Sequence, residues 1–201
     1  MTETATNTPS LIYDLPSILG PIELGKLFPA EQPLEVELGS GDGSFLVNLA
    51  GQEPSHNFIG VERLLGRLRK MDRKARRGRL SNLRGIQIES SYLLERLMPP
   101  DSVSALHVYF PDPWPKRKHR RHRLINERFP QLVQRVLEPG GMVYLRTDDA
   151  DYFSQMLGVF DGSKHFVSTQ TPEVLSSLST DFERDFVARG ISTLRAAYQR
   201  A

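Results

Sequence analysis

What most restricts the fold of this 201-residue chain is an alternation: apolar runs of strand length repeatedly give way to stretches with helical apolar spacing. The strand-like runs are Leu34–Leu38, Asn57–Val61, Gly85–Glu89, Ser104–Phe110, Met142–Thr147 and His165–Thr169, with a seventh near Ile191–Tyr198. Helical periods fill the gaps at Ser44–Gln52, Leu64–Arg79, Tyr92–Leu97, Leu124–Leu137 and Asp151–Val159. Strands joined through helices pair in parallel, because a parallel connection needs a crossover of a dozen or more residues. The expectation is therefore an α/β fold, a doubly wound and mostly parallel sheet with helices on both faces. Ligands of such sheets sit beyond the carboxyl ends of the strands. Residues 1–10 read as a flexible polar tail and 11–201 as one domain.

Composition narrows the chemistry. With 39% apolar and 25% charged residues the chain is neither disordered nor fibrous. It has no cysteine, which removes thiol catalysis, disulfides and cysteine-held metals, and agrees with a reducing cytoplasm. No apolar run approaches the ~20 residues of a membrane span, so a soluble cytoplasmic protein is expected. No metal site is implied by the histidines: His119 and His122 stand in a basic run that repels cations. His107 alternates with apolar neighbours on a strand, as a satisfied buried histidine does.

The net charge of +2 conceals two clusters. Arg63 to Arg84 holds ten Lys/Arg against the single acid Asp72, and Lys116 to Arg128 holds seven more against Glu127. Such stripes suit a phosphate backbone, whose condensed counterions are released on contact. In the first stripe Leu64, Leu68, Met71 and Ala75 recur with helical spacing, so taken alone its charges read first as the wet face of an amphipathic helix. The second, Lys116-Arg117-Lys118-His119-Arg120-Arg121-His122-Arg123, has nothing apolar to bury and must lie at the surface as a loop or frayed helix start.

Candidate chemistry follows each strand. After the first comes Glu37-Leu38-Gly39-Ser40-Gly41-Asp42-Gly43, whose alternate glycines permit a sharp turn and a close ligand approach. The second strand ends at Glu62, a carboxylate placed to accept both hydroxyls of a ribose. The third ends at Glu89, where an acid could meet the exocyclic amine of an adenine; taken alone, either acid reads by default as a solvated charge at a strand end. Together the three features resemble class I methyltransferases that use S-adenosylmethionine. The glycines alone would also allow an NAD enzyme, but their spacing is G-x-G-x-G rather than G-x-G-x-x-G.

After the fourth strand stands Phe110-Pro111-Asp112-Pro113-Trp114-Pro115-Lys116. Asp112, between two prolines, sits in stiff extended backbone. Trp114 is the only tryptophan; it offers a stacking face for a base or a plug for the core, and by itself reads as core. This string, followed by the basic run, resembles the signature of the bacterial tRNA (guanine-N7-)-methyltransferases. The likeness extends through Asn82-Leu83-Arg84, Gly140-Gly141 and Thr147-Asp148. It implies a Rossmann-like class I methyltransferase fold with a mostly parallel seven-stranded sheet, S-adenosylmethionine as cofactor, tRNA as partner, and methylation of N7 of a variable-loop guanine.

Carried over position by position, the resemblance implies that Glu37, Gly39, Gly41, Gly43, Glu62, Glu89 and Asp112 bind the methyl donor. Asp112 would also be the catalytic aspartate, lying between donor and base. Lys116, Asp148, Thr180, Phe182 and Glu183 would contact substrate, and Lys118, His119, Arg120, Arg121, His122 and Arg123 would bind RNA. Where the family has Thr-Lys-Phe-Glu, this chain has Thr180-Asp181-Phe182-Glu183. Thr180 and Glu183 also have the spacing of a helix capping box, which Gly190 would close at the far end. The N-terminal extension usual in the family is shortened and altered.

The reaction needs little from the protein beyond alignment. Guanine N7 carries a lone pair and no proton, so no general base is required, and a nearby carboxylate complements the positive charge that moves onto the base. Two other readings remain: methylation of an exocyclic base amine, whose Asp/Asn-Pro-Pro-aromatic pattern Asp112-Pro113-Trp114 misses by one proline, and a methyltransferase-like module that binds RNA without turnover.

Overall fold

In the computed structural model, residues 9–201 are described, apart from the side chains of Asp181, Phe182, Asp185 and Val187. The elements are β1 (Leu34–Leu38), α1 (Ser44–Gln52), β2 (Asn57–Glu62), α2 (Leu65–Arg77), β3 (Leu83–Gln87), α3 (Ser90–Tyr92, continued by a π-helical turn Leu93–Leu97) and β4 (Val103–Tyr109). A 3₁₀ segment (Arg117–His122) leads to α4 (Phe129–Val136), β5 (Leu137–Thr147), α5 (Ala150–Asp161), β6 (Phe166–Thr169), α6 (Glu173–Ser177), α7 (Asp181–Ala188) and β7 (Leu194–Arg200). The strands form one seven-stranded sheet in the order β3-β2-β1-β4-β5-β7-β6, with β7 alone running antiparallel to its neighbours. The alternation in the sequence thus gives the expected doubly wound sheet. Strand order reverses between β1 and β4, and the crevice beyond their carboxyl ends is where such a sheet takes a ligand.

Each face of the sheet has its own core. One contains Leu34, Val36 and Leu38 of β1 with Leu93, Leu97, Phe129, Val133, Tyr152, Met156 and Phe160 from α3, α4 and α5. The other joins Phe45, Leu46 and Leu49 of α1 with Leu68, Met71 and Ala75 of α2. Because successive side chains alternate across a strand, Glu35 and Glu37 of β1 must point to the second face, and both are buried. Glu35 is satisfied there: it meets His107 Nε2 at 2.7 Å and His56 Nδ1 at 2.6 Å, and His107 Nδ1 lies 2.8 Å from the Tyr109 hydroxyl. Burial pushes the Glu35 carboxyl up, but the hydrogen bonds from the two histidines prevail and hold it below its ordinary value. His107 is the satisfied core histidine its alternating neighbours implied.

Met71 packs closely against three glycines. A Cβ added to Gly43 would lie 2.1 Å from Met71 Cγ, one on Gly60 2.8 Å from its Sδ, and one on Gly85 2.6 Å from its Cε. Gly60 and Gly85 are register partners on β2 and β3, so the methionine lies in a groove that two adjacent missing side chains create. Gly43 also has φ +75°, a left-handed conformation that glycine adopts without strain. Asn82 secures the same region, donating to the carbonyls of Ala50, Glu53 and His56.

Several boundaries differ from the sequence reading. β3 ends at Gln87, two residues early, because Glu89 turns the chain by accepting the Ser91 and Tyr92 amides at the start of α3. α4 begins at Phe129, not Leu124. Pro130 fits only a first turn, and Asn126 holds the preceding residues in a turn by accepting the Arg128 amide at 3.0 Å. Leu64 does not join the core face of α2: it precedes the helix in extended backbone and is 54% exposed. Of the expected tail, residues 1–8 lie outside the described residues, while the Ser10 hydroxyl and the Leu11 amide both donate to Asp72. Among the described residues no helix is long and apolar enough to cross a membrane.

Gly43→Ala is expected to destabilise the fold by about 2–4 kcal/mol through clash and backbone strain together. Gly66→Ala, on a helical site with nothing within 4 Å of the added carbon, should be neutral or stabilise by up to about 1 kcal/mol. Urea unfolding of the two variants against wild type measures both.

Candidate active site

Beyond the carboxyl ends of β1, β2, β3 and β4 lies a cavity of about 620 Å³. Its wall includes Gly39 and Gly41 after β1, Glu62, Arg63 and Leu64 at the end of β2, Glu89 and Ser90 after β3, and Asp112 and Trp114 after β4. The two glycines have φ +77° and +57°, and a Cβ on either would meet no atom within 4 Å. They therefore leave open space on the cavity side, whereas Gly43 gives its space to Met71. Of the three glycines expected to bind a ligand, two do line the cavity and the third is a packing glycine.

Glu62 braces the turn. Its carboxylate accepts the Gly41 amide at 3.1 Å and the Leu64 amide at 2.8 Å, linking β1's loop to β2's. A carboxylate has about four acceptor positions, so two amides leave room for a diol. Glu89 likewise accepts two amides while facing the cavity. Asp42 anchors the other side of the turn, receiving Lys74 Nζ from α2 at 2.7 Å and the Ser44 hydroxyl at 2.9 Å; although burial raises its pKa, these bonds lower it overall.

Glu37 is not in the wall. It is buried beneath the turn, 4% exposed, and its Oε2 has no hydrogen-bond partner among the described residues. Burial, with Asp42 and Glu62 adding repulsion and Arg146 opposing, pushes its carboxyl up to about 8, so it holds a proton at neutral pH.

The Pro-Asp-Pro string is held in an unusual shape. Phe110 and Trp114, on either side of Asp112, have φ +49° and +43°, a region non-glycine residues seldom enter and one that collects at functional sites. The Asp112 side chain accepts the Trp114 amide at 3.2 Å and is otherwise exposed towards the cavity. What holds the string is Arg123. Its Nε donates to the Pro113 carbonyl at 2.7 Å, and its other nitrogens donate to Gln155 at 2.7 Å and Asp151 at 2.6 Å of α5. With a side chain 1% exposed and stacked over Tyr152, Arg123 is a strut, which corrects its expected place on an RNA-facing surface.

The rest of that segment is at the surface. Lys118, Arg120, Arg121 and His122 are exposed and His119 half-buried, with Arg120 paired to Asp151 at 3.0 Å. Trp114 is not in the core as its size suggested: it is half-buried in the cavity wall, with ring centroids 5.1 Å from His122 and 5.9 Å from His119. The backbone turn at Trp114 aims it there, and sequence reasoning had no signal for a positive φ at tryptophan.

The expected substrate contacts are not gathered with these residues. Lys116 is exposed on the approach to the 3₁₀ segment, and Asp148 is exposed at the carboxyl end of β5, both outside the wall. Phe182's side chain lies outside the described residues. Thr180 and Glu183 do form the capping box: the Thr180 amide donates to Glu183 at 2.9 Å, and the Glu183 amide to the Thr180 hydroxyl at 3.0 Å. Glu183 also receives Arg146 and Arg195, each at 2.8 Å. Arg146, 1% exposed, reaches the Leu175 and Leu178 carbonyls as well and stacks over Tyr109. The sequence reading passed over Arg146; its signal was a lone guanidinium directly after the apolar run Val143–Leu145 within one strand, which must find partners when buried. Among the described residues no group of three or more His, Asp or Glu is placed to hold a metal.

A family model described as "Putative methyltransferase" matches residues 31–195. The tRNA (guanine-N(7)-)-methyltransferase of a Nocardioides species is 36% identical over 88% of this chain and 71% of its own length. The chain belongs to the tRNA (guanine-N7-)-methyltransferase family. The member from Syntrophotalea carbinolica is 36% identical over 68% of the chain, and the chain spans 59% of that relative's length. Among solved structures, the 16S rRNA methyltransferase KamB superposes with a TM-score of 0.64 at 18% identity, covering 89% of this chain and 93% of its own, which establishes the class I methyltransferase fold. Within the family fold, the cavity lies where the glycine turn and the Pro-Asp-Pro string face one another.

Because the unfolded chain releases the Glu37 proton near pH 4.5 and the folded chain holds it to about 8, the folded state binds more protons between those values. Glu37 therefore makes stability fall as pH rises through that window. Glu37→Gln should remove that decline, which urea unfolding of both proteins at a series of pH values would show as a narrowing difference towards low pH.

Proposed function

We propose that the chain transfers a methyl group from S-adenosylmethionine to N7 of the variable-loop guanine of tRNA. The observation that carries this reading is that Asp112 and Trp114 face the same cavity as Gly39, Gly41, Glu62 and Glu89. Donor-side and acceptor-side groups therefore share one space. Family membership and the tRNA (guanine-N(7)-)-methyltransferase names of the relatives support the choice of base and of RNA.

The residues fit a nucleoside-bearing donor. Open space over Gly39 and Gly41 admits a ligand against bare backbone, Glu62 keeps acceptor positions for ribose hydroxyls, and Glu89 offers carboxylate oxygens to an adenine amine. Leu64, exposed and in the wall, gives an apolar surface for the ring. When bound, the donor supplies an electrophilic methyl on a sulfonium. Glu37 lies behind the turn as a neutral acid that an approaching ammonium would ionise.

Asp112 does the positioning on the acceptor side. One oxygen holds the Trp114 amide, and the carboxylate is left to accept guanine N–H groups and turn N7 towards the methyl. The same negative charge complements the positive charge arriving on the base. Trp114 is available to stack on the guanine, and the exposed cations Lys118 and Arg121 to take its flanking phosphates.

Wild-type protein incubated with labelled S-adenosylmethionine and unmodified tRNA should place label in 7-methylguanosine on nucleoside analysis. Label in a methylated amine, or no transfer with intact donor binding, would overturn the reading. Asp112→Ala should lower kcat/KM by at least about 100-fold, since loss of an orienting transition-state contact costs on that order.

A further inference from the structure

The second basic segment is partly committed within the protein, Arg120 and Arg123 being tied to Asp151. Helix α2 differs. Its buried residues are Leu68, Met71, Asp72 and Ala75, and at about 100° per residue the face directly opposite carries Lys70, Arg73 and Arg77, with Arg69 at its edge. All four are exposed. The flanking cations are engaged: Lys74 with Asp42, Arg67 3.9 Å from Glu62, and Arg76 3.7 Å from Asp72. None of Arg69, Lys70, Arg73 and Arg77 pairs with a carboxylate among the described residues.

Helix stability does not account for this face. Cations in the last turn favour the helix dipole, which covers Arg76 and Arg77. In the first turn they oppose it, yet Arg67 stands there and that turn holds no acid. Arg69 and Arg73, and Arg73 and Arg77, are also like charges four residues apart, a spacing that destabilises a helix. The row is continuous with the active site, because Arg63 and Arg67 at the head of α2 belong to the cavity wall. From there α2 extends for 13 residues, about 20 Å at helical rise.

The type of nucleic acid follows from what the face lacks. Proteins that hold single strands interleave aromatic rings with the cations so that bases can stack. The outward face of α2, Gly66, Arg69, Lys70, Arg73 and Arg77, has no ring. The rings are across the cavity, where Trp114, His119 and His122 cluster within about 6 Å of one another. A straight row of charge without stacking surface matches the regular phosphates of a duplex, which is recognised by shape and backbone.

We propose that the outward face of α2, formed by Arg69, Lys70, Arg73 and Arg77, is a docking track for the sugar–phosphate backbone of a double-helical RNA arm adjoining the target base. This rests on the reading of tRNA as substrate. It divides the surface between a segment with aromatic rings that takes the unpaired target and a ring-free helix that takes the neighbouring duplex.

The test is a variant with Arg69→Ala, Lys70→Ala, Arg73→Ala and Arg77→Ala together, whose added alanines favour the helix. Binding of unmodified tRNA would be followed over a series of salt concentrations. At about 0.7–0.9 per lost phosphate contact, the slope of log Kd against log salt should become shallower by roughly 3, with binding at least about 10-fold weaker near physiological salt. Donor affinity by calorimetry and the unfolding midpoint should match wild type. A hairpin duplex lacking the target should compete with tRNA for the wild type and poorly for the variant, while a linear oligonucleotide competes equally with both. The single charge reversal Arg73→Glu should weaken binding in the same direction.

Unchanged affinity and slope would overturn the proposal, as would a selective loss of single-strand competition. So would wild-type protein binding phosphatidylglycerol vesicles through this face in preference to RNA. The two readings fail separately. A steep slope lost in the variant, without methyl transfer by wild type, sinks the methylation reading and leaves the track. Methyl transfer with unaltered KM and slope in the variant sinks the track alone.

Discussion

The close approach of α2 to the sheet, with Met71 lying against Gly43, Gly60 and Gly85, is the contact on which the site depends. It is possible only because three positions distant in sequence lack a side chain where one methionine passes. With α2 seated there Lys74 reaches Asp42, while Glu62 at the end of β2 accepts the Gly41 amide, so the glycine turn is fixed from both sides. A flexible turn would lose entropy on binding a ligand; a braced one presents open backbone in advance. The same seating puts Arg63 and Arg67 at the cavity and the remaining α2 cations on the outer surface.

Two buried guanidiniums do on the Pro-Asp-Pro side of the cavity what Met71 does on the glycine-turn side. Arg123 ties the strained Pro-Asp-Pro turn to α5, and Arg146 ties β5 to the turn before α7 and to the capping box. Arginine suits both posts because its planar fork of donors binds several acceptors in a fixed geometry and its charge cannot be relieved by deprotonation. Removing Arg146 would leave buried carbonyls and the buried Glu183 carboxylate short of a donor, and removing Arg123 would release the Pro113 carbonyl and the tie to α5, both of which are costly. The loops carrying Asp112 and Glu183 are thus positioned by charges that are themselves almost fully buried.

Much of this was legible in the residues. The strand and helix alternation led to the doubly wound sheet, and the rule that ligands lie beyond the carboxyl ends of strands led to Gly39, Gly41, Glu62, Glu89 and Asp112, which share the cavity. His107 and the Thr180–Glu183 box were recognisable because both are local patterns, one of alternation and one of spacing. Misplacements came where a residue's partner is remote in sequence. Arg123 looked like its basic neighbours, and only the approach of α5, with Asp151 and Gln155, makes it a strut. Trp114 looked like core, and a left-handed backbone at its own position turns it to the cavity.

By itself the sequence determined the layer architecture and the chemical types available at the strand ends, since both follow from local periodicity and residue identity. It also determined that charge is concentrated in two segments. The tertiary structure decided which of those charges are paired internally and which stay exposed, because ion pairing depends on distances across the fold that spacing along the chain does not encode. It likewise decided that Gly43 packs while Gly39 and Gly41 open onto the cavity: three glycines alike in sequence differ only in whether Met71 or empty space stands beside them.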